Sequence, residues 1–336
     1  MTNTRRAEVM IHYKGIDISK DLAPFLSSFT FRDAEGRSDD IAINLQDREG
    51  KWHGPWLPVK GDKIVAKIRT HNWWTEGVVA ELHCGTFFVD DVSYDGPPDK
   101  VSVKALAIPI AKGGKNTKNS RTWENAGLVA IAGAIAEAAG LSLLYDGSNF
   151  IYDRVVQSKE TDLAFIRRLA KKEGLGVKVT KEQLILFDEA KYEAKKPVLT
   201  FEKGDANIQS YSFNENANDK QYVKVVVSYL DSKTKRTLKY TYHVPEAHEG
   251  PTLKVNKRAN TLDEAIRWAR IEARDKNKGA KTGRLTITGH TGCVQGMTCN
   301  VKGFGAFNGK YIIDSTTHSV GNKYTVQLEI REVLKY

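Results

Sequence analysis

From Val9 to about Ile110 the apolar positions come in short alternating runs, VMIHYKGIDI, IAINL, KIVAKI, EGVVAEL, GTFFVDDVSY and KVSVKALAI, separated by Gly, Pro, Asp and Asn. Alternation puts successive side chains on opposite faces of a strand, so this stretch predicts an all-β barrel or sandwich. The segment KGGKNTKNSR at 112–121 has no acidic residue and two adjacent glycines, the composition of an exposed linker. Beyond it Leu128, Ile131, Ala132, Ile135, Ala136 and Ala139 recur with helical spacing, with Thr122 available to cap the start and Gly140 the end. A second helix is predicted from Thr161 to Glu173, with Thr161 as N-cap, Leu163, Ile166, Leu169 and Ala170 inward, and Gly174 as the stop. LGVKVTKEQLILF then reads as a hairpin around Lys181. From about Val198 the β pattern returns. It is broken by one helix whose Thr261 and Glu264 form a capping box and whose Leu262, Ala265, Ile266, Ala269 and Ala273 share a face.

Two distant stretches share one grammar. Gly61-Asp62 opens KIVAKI, and Gly85-Thr-Phe87-Phe-Val89-Asp90 leads through a turn into VSVKAL. Near the other end Gly296 precedes TCNVK, and Gly309-Lys-Tyr311-Ile-Ile313-Asp314 leads through His318 and Gly321 into YTVQLEI. In each, a glycine starts the strand, aromatic and β-branched residues alternate, and an aspartate ends the pattern. The pattern points to a duplicated β module. Three chains carrying two modules each would present six similar units around an axis and could join a sixfold object to a threefold one.

Length and charge narrow the classes. At roughly 150 residues per domain, 336 residues suggest about two domains with substantial cores. With 27% charged and 40% hydrophobic residues the chain has the balance of a folded globular protein. Fifty-one Lys and Arg against 41 Asp and Glu leave +10, which favours polyanions or an acidic protein partner without choosing between them. The surplus is concentrated between Lys254 and Arg284, as a solvated helix face with pairs such as Glu264 with Arg267, or as a surface toward nucleic acid or an acidic subunit. Three cysteines, Cys84, Cys293 and Cys299, argue against a disulfide framework and for a reducing cytosol. No secretory signal is predicted, and the uncharged run Ala126–Ala136 falls well short of the ~20 residues of a membrane span.

Signatures of catalysis and cofactor binding fail one by one. Gly113-Gly114-Lys115 is followed by Asn116, and Pro109 stands where a phosphate-binding loop needs its first glycine. Gly303, Gly305 and Gly309 are one residue too long for a dinucleotide fingerprint and sit among strands. His290, Cys293 and Cys299 have no fourth ligand at zinc-site spacing. His83 and Cys84 face opposite sides of a strand, poor geometry for a base and nucleophile. No catalytic residue, metal site or cofactor is therefore expected, and sequence-specific DNA reading is not expected either.

Gln157-Ser-Lys-Glu160-Thr-Asp162-Leu-Ala-Phe165-Ile-Arg-Arg168-Leu169-Ala170 resembles the Q-x-x-E-S-D-x-x-F-[LI]-x-R-L-A segment of the late control protein D family, the tail hub proteins of contractile-tailed phages. That architecture is related to the first part of type VI secretion spike proteins. Gly85, Phe87 and Asp90, followed by Gly96-Pro97-Pro98-Asp99 and then Arg121-Thr-Trp123, are similar to the family in the same order, as are Gly309, Tyr311, Asp314 and His318. Thr161 stands where serine is commoner, a tolerated exchange.

The resemblance implies an α+β, mainly β fold with two tail-tube-like β-barrel domains and an intervening small α/β domain. The expected division is 1–111, first barrel; 112–121, linker; 122–197, α/β insertion; and 198–336, second barrel including helix 261–276. It implies a non-enzymatic baseplate hub, a homotrimer in the tail of a virion or tail-like particle, made in the bacterial cytoplasm and without stable membrane insertion. The implied partners are the tail tube or its initiator, a separate spike polypeptide and other baseplate proteins, with the tape measure as a further candidate. No spike-like domain follows the last predicted strand, hence the separate spike. Trp73, Trp74 and Trp268 are candidate interface anchors, with burial in the core as the alternative. A baseplate peptidoglycan hydrolase and a non-specific nucleic-acid binder are the rival readings.

Overall fold

The computed structural model describes residues 4–34, 38–107, 117–180, 183–216, 221–231, 234–245, 247 and 249–336. The alternation in the first third becomes β1 (Arg6–Tyr13), β2 (Ile16–Asp17), the short α1 (Ser19–Leu22), β3 (Leu26–Ala34), β4 (Asp40–Gln46), β5 (Lys63–His71), β6 (Val79–Asp95) and β7 (Lys100–Leu106). Ile64, Ala66 and Ile68 of β5 and Val101, Val103 and Ala105 of β7 turn inward while their neighbours face out. The strands lie in the order β3-β4-β7-β6-β5-β1, every pair antiparallel.

The middle of the chain has its own core. β8 (Lys118–Gly127) and β10 (Ile151–Thr161) form a two-stranded ribbon, and between them lie α2 (Leu128–Ala138) and β9 (Ser142–Asp146). Then come α3 (Asp162–Lys172), β11 (Leu175–Val179), β12 (Gln183–Asp188) and α4 (Glu189–Ala194). Leu128, Ile131 and Ile135 of α2 meet Phe165, Ile166 and Leu169 of α3 over the sheet β11-β12-β9. β11 and β12 pair antiparallel as the expected hairpin, whose turn residue Lys181 lies outside the described residues.

Two expectations are corrected here. Thr122 does not cap α2 but pairs with Val156 inside the ribbon. Gly127 occupies the cap position, and the side-chain oxygen of Asn149 accepts the Val129 N–H at 3.2 Å. The expected linker ends early too: Lys118–Arg121 already belong to β8, while Lys112–Asn116 lie outside the described residues.

The remainder comprises β13 (Leu199–Glu202), β14 (Ile208–Glu215), β15 (Lys224–Leu230), β16 (Thr237–His243), β17 (Thr252–Ala259), α5 (Leu262–Asn277), β18 (Lys281–Thr288), β19 (Thr298–Lys302), β20 (Gly309–Val320) and β21 (Tyr324–Glu332). Thr261 Oγ1 accepts the Glu264 N–H at 3.1 Å, and the Glu264 carboxylate accepts the Asn260 N–H at 2.7 Å, one residue before the usual capping-box donor. α5 lays Ala265, Ala269 and Ala273 against Val225 and Val227 of the sheet β16-β15-β17. Leu262, expected on this buried face, is exposed.

The echo in the sequence is an echo in the topology. β14-β18-β21-β20-β19-β13 repeats the order β3-β4-β7-β6-β5-β1, with the six strands arising in the same succession along the chain. β15–β17 and α5 are inserted between the counterparts of β3 and β4. Bulges recur at matching places, at Leu26/Ser28 and Ile208/Ser210, and again at Val89/Asp91 and Ile313/Ser315, where the skipped residues are Asp90 and Asp314. Loop bonds recur as well. The Gly61 N–H donates to the Val89 carbonyl and the Gly296 N–H to the Ile313 carbonyl, both at 2.8 Å, and φ is +87° and +83° at the two glycines. One pairing departs from the scheme: β13 runs parallel to β19, whereas β1 runs antiparallel to β5.

The two modules are not separate sheets. β3 pairs antiparallel with the second half of β20, Phe29–Ala34 against Ser315–Val320, producing one 13-stranded sheet with a continuous core. The mainly β, α+β class expected from the sequence is the class observed.

Because Ala269 of α5 is fully buried against the sheet β16-β15-β17, Ala269→Leu is expected to overpack the interface and cost about 1–3 kcal/mol. Denaturant unfolding with an unchanged m-value measures it; a loss below about 0.5 kcal/mol would show that the face yields.

Candidate functional site

The motif of the resemblance fastens α3 to the ribbon. Gln157 is fully buried, and its amide donates to Asp162 Oδ1 at 2.7 Å and to the Glu160 carbonyl at 3.0 Å. Asn119 donates to the same Oδ1 at 2.8 Å, and Thr161 Oγ1 accepts the Ala164 N–H as the predicted N-cap. Arg168 reaches back to Glu160 and to the Val156 carbonyl at 2.9 Å, while Phe165 and Leu169 fill the core beneath. These residues hold a helix in place.

The echoed residues occupy equivalent places in the two modules. Phe87 and Tyr311 are fully buried, and the Tyr311 hydroxyl donates to the Phe307 carbonyl at 2.9 Å. Asp314, at the second bulge, accepts from Arg331 Nε at 3.0 Å. Arg331 is itself 3% exposed and also donates to Glu193 Oε1 at 2.7 Å and to Glu189 Oε2 at 3.2 Å. The other oxygen of Glu193 accepts from Arg274 of α5 at 2.8 Å and from the Leu334 N–H at 3.2 Å. α4, α5 and the last strand are thus bolted together by one buried network.

That network accounts for part of the basic surplus. Arg274 and Lys278 pair with Glu193 and Glu189 of α4, and Arg267 lies 3.2 Å from Glu173, not in the expected pair with Glu264. Arg284 pairs with Glu329 on the surface. Positive charge on α5 meets acidic residues elsewhere in its own chain.

A second junction ties the insertion to the first module. Lys178 of β11 binds Asp33 of β3, whose other oxygen accepts the Gln295 N–H at 3.1 Å. Asp39 lies alongside, and burial, with a smaller push from Asp33 against the pull of Lys178, drives its carboxyl up to about 7. Beside it a cavity of about 330 Å³ is lined by Asp33, Asp39, Cys84, Thr86 and Lys178. His318 is buried with Nδ1 2.9 Å from the Tyr324 hydroxyl and Nε2 2.9 Å from the Cys293 carbonyl. The carbonyl can only accept, so Nε2 carries the proton and Nδ1 accepts from the tyrosine. Burial lowers the imidazole to about 4, which keeps it neutral, and its ring stacks 5.9 Å from that of Phe31 across the β3–β20 ladder.

The three tryptophans divide. Trp73 donates its indole N–H to the Gly289 carbonyl at 2.6 Å and packs on Tyr324, linking the two modules internally. Trp268 packs against the core under α5. Trp74 is exposed, against His290. Cys84, Cys293 and Cys299 are free and buried, and burial pushes the thiols of Cys293 and Cys299 up to about 12. Among the described residues no three His, Cys, Asp or Glu are grouped to hold a metal ion, and no helix is long and apolar enough to cross a membrane. The residues that sequence reasoning missed are Arg331, Glu189, Glu193, Asp33, Asp39 and Lys178, all joined across long sequence separations.

Residues 72–324 match the family model of the phage tail baseplate hub (GPD). The chain belongs to this family. It is 27% identical over 238 residues to the probable baseplate hub protein of Escherichia phage P2, covering 69% of this chain and 58% of that protein. To the corresponding protein of Escherichia phage 186 it is 25% identical over 231 residues, covering 67% and 56%. It thus spans less than three-fifths of the length of these curated hub relatives. Among solved structures, the tail protein of Neisseria meningitidis MC58 aligns with TM-score 0.71 and 12% identity over 98% of both chains. A component of the Escherichia coli type VI secretion system, described as structurally similar to the T4 tail proteins gp27 and gp5, aligns with TM-score 0.57 and 12% identity over 93% of this chain and 74% of that one. At such identities these neighbours speak for the hub fold alone.

Two outcomes follow from this geometry. Glu193→Gln, leaving Arg331 and Arg274 without their shared carboxylate, is expected to cost about 3–5 kcal/mol, against under 1 kcal/mol for Glu329→Gln at the exposed Arg284 pair. Equilibrium unfolding of both variants checks the contrast, and similar losses would contradict the network's role. Asp39 has a folded value near 7 against 3.8 for the free carboxyl, so its contribution is fully present below about pH 4 and is lost as pH rises through 7. Asp39→Asn should therefore raise the melting temperature at pH 8 relative to the parent, with the gain shrinking toward pH 5. An equal difference at both pH values contradicts the assignment.

Proposed function

We propose that the chain is the structural hub of a contractile tail or tail-like particle, a homotrimer that adapts a hexameric tail tube to a trimeric spike. The observation that carries this reading is the duplication. Two modules with the same strand order, the same bulges and the same loop bonds let three chains supply six equivalent units. Membership of the baseplate hub family supports it. So does the fold shared with the VgrG-containing complex of Francisella, which aligns with TM-score 0.59 at 9% identity.

In this reading residues 1–111 and 198–336 are the two tube-like domains, the connection expected at 112–121 gives way to β8 at Lys118, and the residues from there to 197 are the insertion. The mechanism is interface formation with no chemical step. The protein acts in the tail baseplate after synthesis in the host cytoplasm, contacting the tube or its initiator and other baseplate proteins. The motif residues Gln157, Glu160, Asp162, Phe165, Arg168 and Leu169 serve the insertion's own structure.

Native mass measurement of the purified chain, alone and with the neighbouring tail proteins, tests the reading. A mass of three chains in either condition is expected. Monomers or dimers in both conditions overturn the trimer, and clearing of a cell-wall zymogram that a single carboxylate substitution abolishes would replace the hub with the hydrolase.

A further inference from the structure

The joint between the modules has an unfilled counterpart. Inside the chain, β3 of the first module lies antiparallel on the second half of β20, opposing Phe31 to His318 and Arg32 to Thr317. The repeated topology makes β14 the counterpart of β3 and β6 the counterpart of β20, so the same joint is available once more, between β14 and the last residues of β6. It cannot form by repeating the same step within one chain, because the step from first module to second is already used. Among the described residues, β14 pairs only with β18, and no strand lies beside Asp91–Asp95 on the β5 side, since β5 ends opposite Phe88.

Burial tells the same story. At the filled joint Phe29, Thr316 and His318 are each 0% exposed, whereas at the open one Tyr211 and Tyr94 are each 49% exposed. Long strand edges left open are templates for pairing, and main-chain bonding along such an edge is a general mode of association.

We infer that β14 of one copy of this chain pairs antiparallel with the end of β6 of the next copy, in the register already used by β3 on β20. Carrying the bulges across fixes that register. Phe213 takes the place of Phe31 and Tyr94 that of His318, so an aromatic pair crosses the interface where a ring pair crosses the internal joint. Asn214 stands opposite Ser93, and Asn216 opposite Asp91. Glu215, the counterpart of Asp33, falls beside Lys60, the counterpart of Gln295, whose N–H Asp33 receives at 3.1 Å. The contact is head-to-tail, so it generates a ring where the rotation closes and a filament where it does not. The pairing rests on the duplicated topology; only the number of copies rests on the hub reading above.

The test is site-directed crosslinking of the full chain. Ser93→Cys with Asn214→Cys places two exposed thiols directly opposite each other across the interface, and the native cysteines are all buried. Mild oxidation is expected to give covalent multimers ending at three chains. Ser93→Cys with Glu215→Cys, a one-residue slip that turns the thiols to opposite faces, should give none. Chains that reach a three-chain mass but do not crosslink, or that crosslink equally in the slipped pair, overturn the pairing and leave the trimer standing. Covalent multimers that run on past three chains uphold the pairing and overturn the trimer. A chain that stays monomeric at high concentration, with tail partners present and without crosslinks, overturns both.

Discussion

Where β3 lies against β20, six consecutive residues of each strand are paired, and the backbone groups so matched leave water without going unsatisfied. An unmet group there would cost about 1–3 kcal/mol, so the register is strongly constrained. The ladder fuses two modules into one sheet, buries His318 against Phe31, and positions Asp33 to receive both Lys178 and the Gln295 N–H. The core is continuous across it, and the placement of the insertion depends on it, because Lys178 reaches a residue of β3.

Ionic contacts then fix what the sheet leaves loose. Glu193 is almost wholly buried and shares its two oxygens between Arg331 and Arg274, so α4, α5 and the final strand cannot shift independently without stranding a charge. The alanine face of α5 complements this arrangement. Small side chains allow the helix to approach β15 and β17 closely, while Arg267 meets Glu173 just after α3, and Arg274 and, just past the helix, Lys278 meet Glu193 and Glu189 of α4. Part of the positive charge of this region, read from sequence either as a solvated helix face or as a surface toward nucleic acid or an acidic subunit, is met by acidic residues of its own chain.

Local signals in the sequence carried well. Thr161 and Thr261 cap the helices they were expected to cap, and the paired patterns around Asp90 and Asp314 mark bulges in matching strands. Signals failed where the physics is not local. β8 belongs to a two-stranded ribbon whose side chains mostly remain exposed, so KNSR carries no apolar alternation and reads as a loop. Thr122 is a plausible cap by type, but Asn149 does that work from a position only the fold brings close. Arg331 and Glu193 are separated by 138 positions, and nothing near either residue announces the other. β14, mostly exposed in the single chain, gives the weakest hydrophobic pattern of the module strands, which is what an edge awaiting a partner would show.

The insertion of β15–β17 and α5 between β14 and β18 has no counterpart in the first module, where β3 passes to β4 through a short connection. The repeated wall and its decoration therefore follow different periods. In an annulus built from such chains, the wall would repeat with every module while the added lobe would recur only at every second one. An object docking against the wall would meet one symmetry and an object docking against the lobes would meet half of it, so a single polypeptide could present both without any strand changing its neighbours.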